Sequence, residues 1–262
     1  MELELGGKSA LITGGSKGIG LAAARAFAAE GVALHLAART ESDLEGARDE
    51  IRADFDVPVA VHPVDLSKGD VARELALDCA EVDILVNNAG AIPGGTLEDI
   101  DEATWRRGWD LKLFGYINMM RAIYAEMKAR GRGVIVNNCG TAGNQVPSLY
   151  AAGISANSAL IALTRSLGGT SLNDGIRVVG INPGDMVNER GIMFLKRQAV
   201  EAFGDESRWR EMMSDLPGGS APSSEDMSNA IVFLASPKAR YISGTVLTID
   251  GGLSGSQAVI GS

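Results

Sequence analysis

Ser9 to Gly20 reads SALITGGSKGIG. A short apolar run of strand type passes directly into glycines, and LAAARAFAAE at 21–30 then continues with helical spacing. A strand, a glycine turn and a helix in immediate succession leave free backbone amides at the helix N-terminus, where an anion is favoured. The spacing is Gly-x3-Gly-x-Gly over Gly14, Gly18 and Gly20, with Ser16, Lys17 and Ile19 between them. Such glycines let the backbone approach a pyrophosphate closely.

Working outward, the same alternation repeats. VALHLAA, VAVHPVD, DILVNNAG, GVIVNN, RVVGINPG and TVLTIDGG read as further strands. Between them lie helical patterns at SDLEGARDEIRA, at WRRGWDLKLFGYINMMRAIYAEMKARG (105–131), and at LYAAGISANSALIALTRSL (149–167). This predicts an α/β fold: one doubly wound parallel sheet with helices on both faces and its ligand loops along one edge. Asn87-Asn88-Ala89-Gly90 and Asn182-Pro183-Gly184 follow later strands as loops at that edge. In the helix of 149–167, Ala156, Ala159, Leu160, Leu163 and Leu167 predict one buried stripe, while Gly153 and Asn157 share a face.

The 262 residues carry no linker, repeat or low-complexity tract, which predicts a single domain over 1–262. Twenty-four basic against 33 acidic residues give a formal charge of -9, opposing general attraction to nucleic acid or to an anionic membrane. The opening MELELGGK carries acids where a secretory signal would carry bases, and no apolar run approaches a membrane span. A cytoplasmic protein is expected. Cys79 and Cys139 define no disulfide framework, and His35 and His62 offer no metal-ligand spacing, so no metal is expected.

TGGSKGIG, NNAG, NPG and FLASPKARYISGTVLTIDGG together resemble the short-chain dehydrogenase/reductase family, over essentially the whole chain. The resemblance implies a single-domain Rossmann fold of seven strands, a nicotinamide cofactor, and a homodimer or homotetramer. It implies that Asp65 and Leu66 hold adenine, that Asn88, Ala89 and Gly90 pack against the cofactor, and that Pro183 and Gly184 flank the nicotinamide. Charge then selects the cofactor. LAART places Ala38 where NAD users carry an acid, followed by Arg39. Arg39 and Lys17 would attract a 2'-phosphate, which favours NADP (NADPH) over NAD.

The family implies a proton relay of Asn, Ser, Tyr and Lys, and here the register matters. Matching SALIALTRSL to the family's AALxxLTRSL puts Gly153 at the tyrosine and Asn157 at the lysine. IVNNCGTAG then puts Gly140 at the serine, and WDLKLFGY puts Lys112 at the asparagine. Tyr150 stands three residues out of register, and Asn157 keeps a place beside the nicotinamide ribose.

Two candidates emerge for relocated chemistry. Lys112 has a stem long enough to reach the nicotinamide ribose or to polarise a substrate oxygen; the competing reading has it snorkel or pair with Asp110. If the helix extends back through a Ser148 N-cap, Tyr150 can place its hydroxyl in the space that Gly153 leaves; the competing reading is an aromatic packed on a neighbouring subunit. Asn138 and Cys139 offer polar contacts at most. An NADP-dependent oxidoreductase on a carbonyl or alcohol is the leading function. The alternatives are an inactive NADP-binding sensor or support subunit, and a non-redox lyase or isomerase. Between Met186 and Gly219, Met193, Phe194, Leu195, Phe203, Trp209, Met212 and Met213 suggest a segment covering an apolar or aromatic small-molecule substrate, with core packing as the competing account. Arg190, Lys196, Arg197, Arg208 and Arg210 fit either recognition of an acidic group or a solvated helix face.

Overall fold

The computed structural model describes residues 1–140, 150–184 and 189–255, without the side chains of 189–191, 193 and 194. Among the described residues, the strands are β1 (Ser9–Thr13), β2 (Ala33–Ala38), β3 (Val59–Pro63), β4 (Ile84–Asn87), β5 (Gly133–Asn138), β6 (Ile176–Pro183) and β7 (Val246–Ile249). They form one seven-stranded sheet in the order β3-β2-β1-β4-β5-β6-β7, every neighbouring pair parallel. This is the Rossmann arrangement the motifs imply. The interior strand β6, IRVVGINP, paired on both sides by β5 and β7, is buried at every position, as a strand covered on both faces must be.

The helices are α1 (Gly18–Ala29), α2 (Glu41–Asp54), α3 (Gly69–Asp78), α4 (Glu102–Trp109), α5 (Gly115–Arg130), α6 (Ala151–Gly168), α7 (Glu189–Phe203) and α8 (Ser224–Ala235). One core packs Phe27 of α1, Leu44 of α2 and Ile231 of α8 on one sheet face. The other packs Leu75 of α3, Met119 of α5 and Leu160 of α6 on the opposite face. Each such fully buried side chain is worth about 1.5–3 kcal/mol relative to exposure, so the two layers clamp the sheet and fix where its strand ends lie.

Three elements depart from the sequence reading. The helix expected over 105–131 is broken by a π turn, Asp110–Phe114, between α4 and α5. The widened turn lies where Gly115 comes against the Leu66 carbonyl; a β-carbon there would stand 3.0 Å from that oxygen. Helix α3 was not read at all, although Ala72, Leu75, Ala76 and Cys79 have helical spacing and are buried. Finally, α6 begins at Ala151, with Tyr150 at its N-cap position and no capping side chain. The extension through Ser148 lies outside the described residues. The buried stripe of α6 also turns: Ala156 and Leu160 are fully buried, but Gly153, Asn157 and Thr164 join them, while Ala159, Leu163 and Leu167 are only partly covered.

Candidate active site

The sheet order reverses between β1 and β4, so the loops after these strands diverge and open a crevice at their carboxyl ends. A cavity of about 830 Å³ lies there. Of the residues the sequence singled out, Gly14, Ser16, Lys17, Ile19, Arg39, Leu66, Asn88, Ala89 and Gly90 line it at one end. Lys112, Gly140, Tyr150, Asn157, Pro183 and Gly184 line it at the other.

Gly18, Gly20, Asp65 and Gly153 are not on its wall. Gly20 acts from behind: a β-carbon there would lie 2.1 Å from the Gly14 carbonyl oxygen, so only glycine lets α1 pack under the loop. Gly18 opens α1 at φ +54. Asp65 turns back onto its own loop instead, accepting from the backbone N–H and hydroxyl of Ser67 at 3.2 and 2.8 Å. Burial would raise its carboxyl, but those bonds, with Lys68 and Arg39, pull it below the usual range.

The glycine loop is fixed by its neighbours. Thr13 Oγ1 accepts from the backbone N–H groups of Asn88 and Ala89 at 2.9 and 3.1 Å. Asn88 Nδ2 donates to the carbonyls of Thr13 and Gly14 at 3.1 and 3.3 Å. Asn88 Oδ1 accepts from Asn138 Nδ2 at 2.8 Å, and the Asn138 carbonyl accepts from Lys112 Nζ at 2.6 Å. A continuous hydrogen-bonded path therefore runs from the loop after β1, through the end of β4 and the end of β5, to Lys112. Asn138 is its hinge, a role its sequence position did not disclose.

Lys112 also donates to Tyr116 Oη at 3.0 Å, and that hydroxyl donates to the same Asn138 carbonyl at 2.9 Å. Its partners are thus a carbonyl and a phenol, not Asp110. Burial pulls the ammonium down to about 8, against a smaller opposing pull from Cys139, and pushes the Tyr116 phenol well above its ordinary value. An amine poised near neutrality at a cavity wall can give and take a proton. Gly90 makes room for its stem: a β-carbon there would lie 2.8 Å from Lys112 Cδ.

Tyr150 reaches the same cavity from the start of α6. Its ring fills the space over Gly153, where an added β-carbon would stand 2.0 Å from both Cε1 and Cζ. Burial raises its phenol. Trp109 Nε1 donates to the Ala152 carbonyl at 2.9 Å and so ties the first turn of α6 to α4. Gly140, at φ +99, is backed by Asn157, whose Nδ2 would lie 2.7 Å from a β-carbon at 140. Asn157 is buried, and its Oδ1 has no partner among the described residues.

These features fit a nicotinamide dinucleotide. The N-terminus of α1 has no capping side chain and presents its amides to the cavity end that Ser16 and Lys17 line. Gly14 leaves a cradle that a β-carbon would close to 3.0 Å against Ala89 and Asn88. At the far end, the orphan Oδ1 of Asn157 is an acceptor awaiting a donor.

The two cations proposed for a 2'-phosphate differ in state. Lys17 pairs with Asp43 at 2.7 Å, whereas Arg39, exposed on the cavity wall, pairs with no acid among the described residues.

The expected covering segment contributes no described residue to this cavity. Met186 and the side chains of Arg190, Met193 and Phe194 lie outside the described residues. Arg208 and Arg210 lie over the rings of Phe203 and Trp209, at 4.0 and 4.4 Å from their centroids, and Arg208 and Lys196 pair with Glu211 and Glu206. These contacts match the solvated, ion-paired reading of the basic residues, whereas Met186 and the side chains of Met193 and Phe194, on which the apolar reading partly rests, lie outside the described residues.

Sequence spacing also hid a cluster away from the cavity. His35, His62 and Cys79, without metal-ligand spacing along the chain, bring their ligand atoms within 4.8 Å of one another.

Residues 8–192 match the family model for short chain dehydrogenase. The chain is 34% identical over 251 residues to galactitol 2-dehydrogenase (L-tagatose-forming) of Cereibacter sphaeroides, covering 95% of each. It is 30% identical over 250 residues to a 3-oxoacyl-acyl-carrier-protein reductase of Escherichia coli, covering 94% of this chain and 97% of that one. In structure it resembles L-sorbose reductase from Gluconobacter frateurii, solved with NADPH and L-sorbose, at a TM-score of 0.87 and 30% identity over 98% of this chain and 100% of that one. With its glycine loop, its strand order and these relatives all agreeing, the chain belongs to the short-chain dehydrogenase/reductase family of oxidoreductases.

Proposed function

We propose that this chain is a single-domain, NADP-dependent reductase of a carbonyl compound, or dehydrogenase of the matching secondary alcohol, in which Lys112 and Tyr150 stand in for the family's proton relay. The observation that carries this reading is the Tyr150 ring over Gly153, on the cavity that Lys112 also lines. Arg39 and the α1 N-terminus would hold the cofactor's phosphates, and Asn157 Oδ1 would accept from a ribose hydroxyl. When bound, the nicotinamide supplies the hydride. The chain's own task is then the proton: Tyr150 Oη holds the substrate oxygen, and Lys112, below about 8, is the protonated donor that neutralises it. The family supports a homodimer or homotetramer, and the acidic balance argues against nucleic-acid or membrane partners.

Polyol dehydrogenases and ketose reductases among the relatives make ketose and polyol pairs the first substrates to try, and 3-oxoacyl thioesters the second. Lys112→Met and Tyr150→Phe are each expected to lower kcat/KM by roughly 10²–10⁴-fold, the usual contribution of a positioned acid or base, while NADPH affinity holds. Turnover unchanged in both variants would overturn the relay.

A second reading, nucleotide binding without turnover, is favoured by one observation: two of the three Lys112 Nζ donors are already engaged, by the Asn138 carbonyl at 2.6 Å and Tyr116 Oη at 3.0 Å. It predicts tight NADPH binding and no activity across the same substrate panel.

A further inference from the structure

The cluster of His35, His62 and Cys79 lies on the sheet face opposite α1 and α2. His35 and His62 sit on neighbouring strands, β2 and β3. The parallel register pairs His35 with Ala60 and Ala37 with His62, so both imidazoles project on one face, two residues out of step. Cys79 follows the last residue of α3, which covers that face, and is buried. None of the three lines the cofactor cavity.

Their geometry is that of a ligand set. His35 Nδ1 and His62 Nε2 are 3.1 Å apart, and Cys79 Sγ lies 3.5 and 3.7 Å from them. With Zn–N bonds of about 2.0–2.1 Å and a Zn–S bond of about 2.3 Å, tetrahedral coordination separates nitrogen from nitrogen by about 3.3 Å and nitrogen from sulfur by about 3.6 Å. The three atoms already form one face of that tetrahedron. Hydrogen bonding can also close the triangle, with His35 Nδ1–H donating to His62 Nε2 and the thiol to a ring nitrogen, so what points to a metal is the near-tetrahedral spacing of all three atoms.

We propose that His35 Nδ1, His62 Nε2 and Cys79 Sγ form a site for one zinc ion, with water in the fourth position. Binding forms two N–Zn bonds and one S–Zn bond and releases the Cys79 thiol proton to solvent; no electron is transferred. The surroundings favour a cation. Asp78, the last residue of α3, places an acid immediately before Cys79. The carboxyl end of α3, with its negative dipole end, lies beside the sulfur. The ion would link the edge strand β3 to β2 and α3, making this a structural site beneath the adenosine end of the fold. The inference is independent of the proposed proton relay.

Untagged, reduced protein, stripped with chelator, is titrated with zinc against a chromophoric chelator and with cobalt followed by absorption. One zinc per chain, one proton released, and a thiolate-to-cobalt charge-transfer band are expected. Cys79→Ser should abolish that band. Cys79→Ser and His62→Gln should each weaken zinc binding by more than the roughly 10–100-fold that loss of an outer-shell partner costs, with NADPH binding and circular dichroism unchanged. No stoichiometric zinc on the wild-type protein, or a charge-transfer band surviving Cys79→Ser, overturns the site. Should Cys79→Ser fail to fold, His62→Gln decides alone, since His62 is half-buried on the edge strand and an unchanged zinc affinity there is equally fatal.

Discussion

The ring of Tyr150 occupies the volume that any side chain at Gly153 would need: a β-carbon at 153 stands 2.0 Å from Cε1 and Cζ. Glycine at 153 and tyrosine at 150 are therefore one arrangement. Gly153→Ala must expel the ring, and because the ring is only partly buried it can leave without unfolding α6. We expect Gly153→Ala to lose as much turnover as Tyr150→Phe and to cost about 1–3 kcal/mol of stability, as overpacking does. The sign should reverse in a Tyr150→Ala background, where alanine at 153 gains about 1 kcal/mol of helix propensity. Denaturant unfolding of the four proteins checks this, and a penalty that persists without the ring would refute it.

The pH dependence of the reaction follows from Lys112. Its ammonium is held near 8 by burial, below the ordinary lysine value. Reduction consumes a proton, so it needs the charged form, which dominates below that value. We expect kcat/KM for carbonyl reduction to be level below about 8 and to fall about tenfold per pH unit above it, with alcohol oxidation showing the mirror image. Steady-state rates across the alkaline range in both directions test this. The inflection should vanish in Lys112→Met, and its persistence there would assign it to another group.

Cofactor choice should rest unequally on the two cations. Lys17 is engaged with Asp43, while Arg39 stands on the cavity wall and forms no ion pair among the described residues, acting on Asp65 only at longer range. A charge-assisted contact to a 2'-phosphate is worth about 1.5–3 kcal/mol. Arg39→Ala should therefore weaken NADPH by roughly 10-fold or more and leave NADH unchanged, since tenfold corresponds to about 1.4 kcal/mol. Lys17→Ala should do much less. Fluorescence titration of both nucleotides against both variants measures the four affinities, and an equal loss from the two variants would contradict the assignment.

How much of this was legible beforehand depends on whether the information is local. Gly14, Asn88 and Pro183 declare themselves because strand ends, glycine turns and helix starts are written in consecutive residues, and a parallel sheet delivers them to one edge. The π turn at 110–114 was hidden: it lies where Gly115 meets the Leu66 carbonyl, a contact between residues far apart in sequence. Helix α3 was legible but unread: its buried positions have plain helical spacing. Asn138 could be placed at the end of β5, but not seen to link Asn88 with Lys112, because that depends on which strands neighbour β5. His35 and His62 are separated by β2–α2–β3 connectivity and meet only through strand register. Helical spacing places Tyr150 inside a longer helix; it reaches Gly153 from the N-cap instead, by the direction of its side chain.

Gly140 and Asn157 form a second coupled pair. Gly140 has φ +99, where other residues are strained, and Asn157 Nδ2 would lie 2.7 Å from a β-carbon at 140. Introducing serine at 140 alone should therefore be destabilising for two separable reasons. The backbone part, about 1–3 kcal/mol for a residue held in a sparsely populated region, is indifferent to position 157. The contact part disappears when Asn157 is shortened. A double-mutant cycle of Gly140→Ser and Asn157→Ala, read by denaturant unfolding, should thus give a favourable interaction energy of about 0.5–3 kcal/mol, with Gly140→Ser still costly in the double variant. Strict additivity would mean that the Asn157 side chain yields freely. In that case the glycine at 140 and the asparagine at 157 would have to be explained separately, instead of as the two sides of one packing arrangement.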